Sequence, residues 1–269
     1  MSAIGLTIRQ ARYTNKSFWR NPASAFFTFA FPLMFLVIFT ALLGDGKLRI
    51  KGTNMRQDTY YVIAMATFGV ISACYTNIAI SASFNRDQGI LKRTRGTPLP
   101  AGSYLSARVL HATLVGVLLV IITALFGKVF YDAAIPTGVP LAEFLVVLIV
   151  GSLSFAALAL ALTSVIPNAD ASPPIVNATM LPLLFLSGIF IPLDDTSPEW
   201  IKLVGTIFPV KHFFEAMRDS YLGNTVGRVV NGTVFHPFTL NWTDVVVIAI
   251  WGVAGLLLAA RFFSWEPRK

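Results

Sequence analysis

Few side chains in this sequence have the types and spacing that chemistry requires. A phosphate-binding loop surrounds ATP with backbone N–H groups, a lysine and a following hydroxyl, in the pattern G-x-x-x-x-G-K-[ST]. Gly46-Lys47 and Gly127-Lys128 are the only Gly-Lys pairs, and neither has the upstream glycine or the hydroxyl. Ser187-Gly188 lacks the preceding glycine of a nucleophile turn. We therefore expect no ATP hydrolysis by this chain alone and no serine hydrolase activity.

The sequence contains no ligand set for a metal or an iron–sulfur cluster. Cys74 is the single cysteine, and the three histidines are scattered along the chain. His111 and His212 fall near the ends of apolar segments, where a lone histidine is usually an interfacial or packing residue. We expect neither a metal nor a cofactor on this chain, and proteolysis in the membrane with a histidine base is a minor alternative.

The composition decides what kind of element can position any functional residue. The chain is 55% hydrophobic and 13% charged, whereas a soluble domain is about 45–50% apolar and about 25% charged. So few charged side chains cannot cover the surface of a soluble globule of 269 residues. The net charge of +8 is explained by anionic lipid headgroups, and we expect no nucleic-acid partner.

Six segments are apolar and long enough, or nearly so, to cross a bilayer, which takes about 20 residues without a central charge. The fifth is the least regular because Pro173, Pro174, Pro182 and Pro192 interrupt it. The predicted fold class is therefore an all-α polytopic membrane protein. Its six transmembrane helices are predicted at 23–43, 60–84, 106–127, 143–166, 172–192 and 243–261.

The distribution of Lys and Arg favours an amino terminus and a carboxyl terminus on the inside, although four basic residues crowd the loop 47–56 that this topology places outside. Residues 1–22 are predicted to form a cytoplasmic interfacial helix, because basic and apolar residues occupy separate stripes at helical spacing. The plainer alternative is a positively charged flank of the first span. Residues 23–262 then form a single transmembrane domain, and 263–269 form a cytoplasmic tail.

The loop between the second and third spans has the highest charge density in the chain. Such a loop is usually a solvated cytoplasmic segment. It also contains the apolar pair Ile90-Leu91, and Gly89 and Gly96 bracket a short helix that Thr97-Pro98 would stop. A short helix with an apolar pair and basic flanks is suited to docking on another protein.

Residues 188–222, between the fifth and sixth spans, contain short apolar runs that are broken by prolines. The runs have helical spacing but are too short to cross a bilayer. They predict re-entrant outer helices, whose free backbone groups must be satisfied by protein or water.

Ionisable groups are missing from the middle of the six spans, apart from His111 near an end, which disfavours a proton-coupled carrier. Asn77 and Asn177 are the deepest strongly polar residues. They are expected to bond neighbouring helices or, alternatively, to touch cargo.

Taken together, these two loops resemble the membrane subunit of type-2 ATP-binding-cassette exporters, closest to the drug and lipid branch. The first loop is similar to the family segment R-E-x-G-T followed by T-P, with Asp87 in place of Glu and Ile90 in place of Thr. The second carries an S-G-x-x-x-P pattern at 187–192, then P-E-W at 198–200, a later proline and a closing arginine.

The resemblance implies that two permease copies, identical or homologous, engage two copies of an ATPase subunit that binds ATP and Mg. It also implies a bacterial inner membrane as the location. The residues that would form the ATPase-coupling helix are Arg86, Asp87, Gly89, Ile90, Leu91, Thr97 and Pro98. Those that would form the outer re-entrant gate are Ser187, Gly188, Pro192, Pro198, Trp200, Pro209 and Arg218.

The cargo follows from the aromatic character of the first and fifth spans, which would form the seam between two copies in such transporters. An aromatic, weakly charged path favours a hydrophobic or amphipathic molecule, drug-like or lipid. The candidate path residues are Phe27, Phe31, Phe35, Asn77, Asn177 and Phe185. The alternatives are a polysaccharide or glycolipid exporter of the same architecture and a carrier or channel that is not coupled to ATP.

Overall fold

The computed structural model describes residues 2–43, 46–50, 53–193, 197–223, 228–230, 233–235 and 238–266. Two antiparallel β-hairpins join some of its helices: β1 (Lys47–Ile50) with β2 (Thr53–Arg56), and β3 (Arg228–Val230) with β4 (Thr233–Phe235). The helices of the described ranges are α1 (Ala3–Trp19), α2 (Pro22–Leu43), α3 (Gln57–Ile71), α4 (Asn77–Asp87), α5 (Ile90–Arg95), α6 (Ala101–Tyr131), α7 (Val139–Leu162), α8 (Ser172–Leu186), α9 (Glu199–Ile207), α10 (Pro209–Leu222) and α11 (Trp242–Phe262). A π-helical turn, Ser72–Thr76, joins α3 to α4 into one continuous helix.

Five of the described helices are long and apolar enough to cross a membrane: Pro22–Leu43, Gln57–Asp87, Ala101–Tyr131, Val139–Leu162 and Trp242–Phe262. They coincide with five of the predicted spans, so a mostly helical polytopic fold is confirmed. The predicted fifth span, 172–192, instead ends at Leu186 and has 15 residues, or about 22 Å of helix against a hydrocarbon core of about 30 Å. A full sixth crossing stays a prediction.

The physical reason for the early end of α8 is the backbone at Gly188, which has a φ of 89°. This left-handed conformation terminates a helix and favours glycine. The Gly188 carbonyl then accepts a hydrogen bond from the Tyr60 hydroxyl of α3. The apolar run therefore continues beyond Leu186 as turns and bends.

The long helices have two common ends. At the end that we call the hairpin end, the Thr40 hydroxyl at the close of α2 donates to the Tyr131 hydroxyl at the close of α6, at 2.7 Å. At the other end, which we call the α5 end, Ser103 of α6 donates to the Ala3 carbonyl of α1 at 3.3 Å. Trp265, after α11, has its ring 5.9 Å from that of Tyr104 there. Both ends of the described chain thus lie at the α5 end.

Helix α3 and the π turn form the centre of the bundle, because nearly all of their side chains are buried. Small residues allow the surrounding helices to approach closely. On α11, a Cβ atom at Gly255 would lie 2.9 Å from the Leu158 backbone nitrogen of α7, and one at Gly252 would meet Ser154. Between α6 and α3, Gly127 faces Val62 in the same way.

The helix predicted over the amino-terminal residues is confirmed as α1. The Ser2 hydroxyl caps it by accepting from the Gly5 N–H at 3.2 Å. Ile4 and Trp19 leave large apolar surfaces exposed. This pattern is typical of a helix at a membrane interface, which stays a prediction for α1.

Proline-broken helices were predicted after the fifth span, and α9 and α10 are found there. Phe208 is extended between them, and Pro209 is the first residue of α10. Helix α10 is buried along almost its whole length against the bundle, whereas α9 exposes Trp200, Leu203 and Ile207.

Candidate functional site

The short helix α5 protrudes between two glycines. Gly89 precedes it with a φ of 70°, and a Cβ atom there would meet nothing within 4 Å, so the requirement for glycine comes from the backbone alone. Leu91 is buried, whereas Ile90 is 38% exposed. Just after the helix, the Thr97 hydroxyl donates to the Thr94 carbonyl at 2.6 Å. The exposed residues of this segment are Lys92, Arg93, Arg95, Thr97 and Pro98.

Arg86, at the end of α4, is buried to 1% exposure. Its Nη1 donates to the Thr163 carbonyl at 3.0 Å, and its Nη2 donates to the carbonyls of Ile166 at 2.9 Å and Pro167 at 3.2 Å. Its Nε donates to Asp87 Oδ1 at 3.2 Å. These carbonyls follow the end of α7, where the helix dipole favours a cation.

Asp87 completes this arrangement because its second oxygen accepts from the Ala169 backbone N–H. We call Arg86, Asp87 and their backbone partners at 163–169 the Arg86 clamp. The clamp fixes the base of α5 to the connection between α7 and α8. Arg86 and Asp87 were predicted together with the exposed α5 residues, but Arg86 is buried, Asp87 is half-buried, and both bond to the backbone at 163–169.

The residues predicted for the outer gate fall into three groups along the chain. Ser187 and Gly188 are buried at the end of α8, where the Ser187 hydroxyl donates to the Leu184 carbonyl at 2.9 Å. Pro198 directly precedes α9, and Trp200 on its first turn is 62% exposed. Pro192 is half-buried between these groups.

Pro209 and Arg218 lie on the buried helix α10. The Arg218 guanidinium is 2.9 Å from Asp219 and lies over the Phe214 ring, with its Cζ 5.9 Å from the ring centroid. Burial lowers the pKa of Arg218, but the Asp219 and Glu215 carboxylates outweigh this effect and raise it above its ordinary value. Arg218 therefore stays charged inside the protein.

His212 lies on α10 and contacts both α9 and α11. The sequence alone did not indicate these contacts. Its Nδ1 is 2.6 Å from Asp244 Oδ1 on α11, and its Nε2 is 2.9 Å from the Thr206 carbonyl on α9. Both ring nitrogens thus face acceptors, an arrangement that favours the doubly protonated ring. The Asp244 hydrogen bond accordingly raises the pKa of His212, against the effect of burial.

Two of the predicted path residues, Phe35 and Phe185, both pack against the ring of Phe190. The Phe190 ring centroid lies 5.9 Å from that of Phe35 on α2 and 5.1 Å from that of Phe185 on α8. Phe27 and Phe31 are exposed on α2, and Asn177 is exposed on α8, two helical turns before Phe185. These five predicted residues define what we call the α2/α8 surface: Phe27, Phe31, Phe35, Asn177 and Phe185.

Residues 8–222 match the family model described as ABC-2 type transporter. The chain belongs to the ABC-2 type transporter family. It is also 25% identical over 198 residues to YvfS of Bacillus subtilis (strain 168), a protein that is named as a transport permease. That match covers 72% of this chain and 76% of YvfS. The chain is thus the transmembrane subunit of an ABC transporter, and its family implies a separate ABC ATPase as partner.

Asn77, the sixth predicted path residue of this ABC-2 permease, lies elsewhere. It follows the π turn and lines a partly polar cavity of about 440 Å³ between α1, α4, α5 and α6, together with Arg108 and His111. None of the residues of the α2/α8 surface lines that cavity. The charge-free sequence around Asn77 gave no sign of this separation.

A second cavity in the permease, of about 800 Å³, opens between α7, α8 and α11. Its wall is apolar and includes Phe155, Leu183 and Trp251, with no charged side chain among the described residues that line it. Trp251 also donates to the Ile207 carbonyl at 3.2 Å. Within the described ranges, no group of three His, Cys, Asp or Glu residues could hold a metal ion.

Proposed function

We propose that this permease forms the translocation pathway of an ATP-driven exporter for a hydrophobic or amphipathic substrate, drug-like or lipid. Two copies of a partner ATPase would hydrolyse ATP with Mg, and a second copy of this chain or a homologue would complete the pathway. The observation that carries the proposal is the Arg86 clamp, which gives the exposed helix α5 a rigid connection to the rest of the bundle.

Coupling requires an element whose contacts differ between the ATP-bound and ATP-free states of the motor. Helix α5 offers the ATPase an apolar contact at Ile90 and basic residues around it. A displacement of α5 would move the end of α4, and the clamp would pass this movement to the connection at 163–169. Helix α8 begins three residues later and carries Asn177 and Phe185 of the α2/α8 surface.

The α2/α8 surface supports the class of substrate. Its members are aromatic apart from Asn177, and Phe31 and Phe35 pack edge to face with centroids 4.7 Å apart. In a pair of permeases, such a surface would form an apolar seam with few hydrogen-bonding groups. It favours molecules that partition into apolar environments, because a free ion or a sugar would lose its hydration there without replacement.

The decisive experiment is reconstitution of the full chain with its ATPase in lipid nanodiscs. ATP hydrolysis is then measured with three panels of candidate substrates: amphipathic dyes, phospholipids and oligosaccharides. Amphipathic dyes and phospholipids are expected to stimulate hydrolysis, and Phe31→Ala is expected to change the order of preference. Leu125→Ala, on the exposed face of α6, is the matched control and should leave the order unchanged.

Two results would contradict the proposal. Stimulation by oligosaccharides alone would assign the permease to polysaccharide or glycolipid export. Solute movement by the purified chain without any ATPase would make it a carrier or channel.

A further inference from the structure

The partly polar cavity between α1, α4, α5 and α6 has the features of a ligand site that is separate from the α2/α8 surface. It lies at the α5 end, under the amphipathic helix α1. Its wall contains amide and hydroxyl groups from several elements, including Asn21 at the junction of α1 and α2, and Asn77, Ser81 and Asn85 along α4. Arg108 of α6 contributes the single full positive charge among the described residues that line it.

Arg108 has no acidic neighbour in this cavity, because no carboxylate is among the described residues that line it. Its Nη1 is closed off from solvent and has no hydrogen-bond partner in the described part of the chain, and the same holds for Nδ1 of His111. The guanidinium lies over the Tyr104 ring, with its Cζ 5.5 Å from the centroid. Since buried donors are normally paired, the Arg108 nitrogen points to an acceptor that comes from outside the chain.

The depth of Arg108 indicates what this acceptor is. Helix α6 has 31 residues, so it is about 46 Å long and exceeds a hydrocarbon core of about 30 Å by about 8 Å at each end. Arg108 is its eighth residue, about 10 Å from the start. The uncharged run that follows, residues 109–127, begins directly after it. Arg108 therefore lies at the boundary between headgroups and hydrocarbon.

The apolar residues of the wall lie mostly in its deeper part. Asn85 and Tyr104 lie toward the α5 end, as does Ile90 of α5, whereas Ala73, Ala112 and Val115 lie deeper in the bundle, beside Asn77 and His111. A molecule that fills this cavity must be polar toward the α5 end and apolar toward the middle of the membrane. A phospholipid has this distribution, with its phosphate at the height of Arg108.

We infer that the cavity binds the phosphate group of a membrane phospholipid. The Arg108 guanidinium donates charge-assisted hydrogen bonds to the phosphate oxygens, and the Asn77 amide and the Ser81 hydroxyl add neutral ones. The acyl chains leave past Ala112 and Val115. The bound lipid holds α1 against α4 and α6, where Phe18 and His111 already pack with ring centroids 5.4 Å apart.

The test uses the full chain purified in a mild detergent, and measures thermal unfolding during titration with dioleoylphosphatidylglycerol, dioleoylglycerol or inorganic phosphate. Phosphatidylglycerol is expected to raise the melting temperature of the wild type, because a ligand that binds only the folded state stabilises it. Dioleoylglycerol, which lacks the phosphate, should not. Arg108→Gln should weaken phosphatidylglycerol binding about tenfold or more.

The matched control is Arg12→Gln, which removes an exposed arginine of α1 that does not line the cavity and should leave the affinity unchanged. Ser81→Leu fills the cavity while keeping Arg108, so it tests the site even if Arg108→Gln does not fold. Ser81→Leu should also abolish the rise in melting temperature that phosphatidylglycerol produces. Arg108→Lys should retain part of it.

The inference is overturned if phosphatidylglycerol and dioleoylglycerol stabilise equally, or if Ser81→Leu binds phosphatidylglycerol like the wild type. A rise in melting temperature with inorganic phosphate but not with phosphatidylglycerol would overturn the assignment to a lipid. Because no ATPase is present, these outcomes are independent of the proposed transport activity.

Discussion

At the scale of single residues, Arg86 is the buried side chain that fixes the base of α5. Its guanidinium donates to three carbonyls and to Asp87 while it is almost completely excluded from solvent. Arg86→Met keeps much of the volume but leaves the three carbonyls and Oδ1 of Asp87 without this donor. We expect it to lower the free energy of unfolding by about 3–5 kcal/mol, as for other buried pairs that lose one member. Thermal or denaturant unfolding in detergent measures this change.

Arg93→Met is the control for that variant, because Arg93 is exposed and donates only to the Gln88 carbonyl. It should change the free energy of unfolding by no more than about 0.5 kcal/mol. Equal effects at the two positions would show that the clamp does not contribute specially to stability.

His212 makes stability depend on pH. Its pKa is raised in the folded protein above the ordinary value of 6.5, so the folded state binds the proton more tightly than the unfolded state. The contribution is fully present below pH 6.5 and is lost as the pH rises through the raised pKa. The groups that hold the proton are the carboxylates of Asp244 and Glu215 and the Thr206 carbonyl.

We therefore expect the wild type to lose stability relative to His212→Gln as the pH rises above 6.5, because the glutamine does not titrate. Unfolding curves of both proteins across this range give the difference directly. Parallel pH profiles for the two proteins would contradict the pairing with Asp244.

At the scale of elements, α5 depends on the backbone conformation of Gly89. An alanine there would have free space but would have to adopt a φ of 70°, at a cost of about 1–2 kcal/mol. Gly89→Ala should therefore change the angle at which α5 leaves α4 and lower substrate-stimulated ATP hydrolysis in the reconstituted complex. Gly102→Ala is the control, since Gly102 also has open space but lies within the helix α6. Normal stimulation in Gly89→Ala would remove α5 from the coupling mechanism.

The hydrophobic pattern predicted the elements better than their connections. Uncharged runs of helix length identified the long helices, and separated polar and apolar stripes identified α1. The π turn at Ser72–Thr76 was not predictable, because the surrounding residues are uncharged throughout and their types do not record a local change of helical pitch. For the same reason, the sequence did not show that Asn77 lies apart from the α2/α8 surface.

Arg86 illustrates a second limit of the sequence. A charged loop normally predicts a solvated surface, and the neighbouring basic residues do follow that rule. The partners of Arg86 are backbone carbonyls at 163–167, far along the chain, and backbone groups leave no trace in the residue types. The end of α8 had a local signal, Ser187-Gly188, but the apolar residues after it concealed the stop.

At the scale of the whole molecule, the apolar residues Phe31 and Met34 on α2 and Leu181 and Phe185 on α8 remain exposed. Other exposed apolar residues, such as Ile121 and Leu125 on α6, face outward in the same manner, and lipid suffices to cover them. What distinguishes the α2/α8 surface is its continuity with the aromatic cluster around Phe190. Aromatic residues at the centre of a patch are typical of protein interfaces.

We expect two copies of the permease to meet at this surface, which can be tested by disulfide crosslinking in native membranes. The unsubstituted chain serves as the negative control, because its single cysteine, Cys74, is fully buried. Phe31→Cys and Phe185→Cys should form dimers under mild oxidation, whereas Leu125→Cys on α6 should not. Crosslinking through α6 without crosslinking at Phe31 or Phe185 would move the seam to another face, and the aromatic surface would then contact lipid and no longer be a candidate for the pathway.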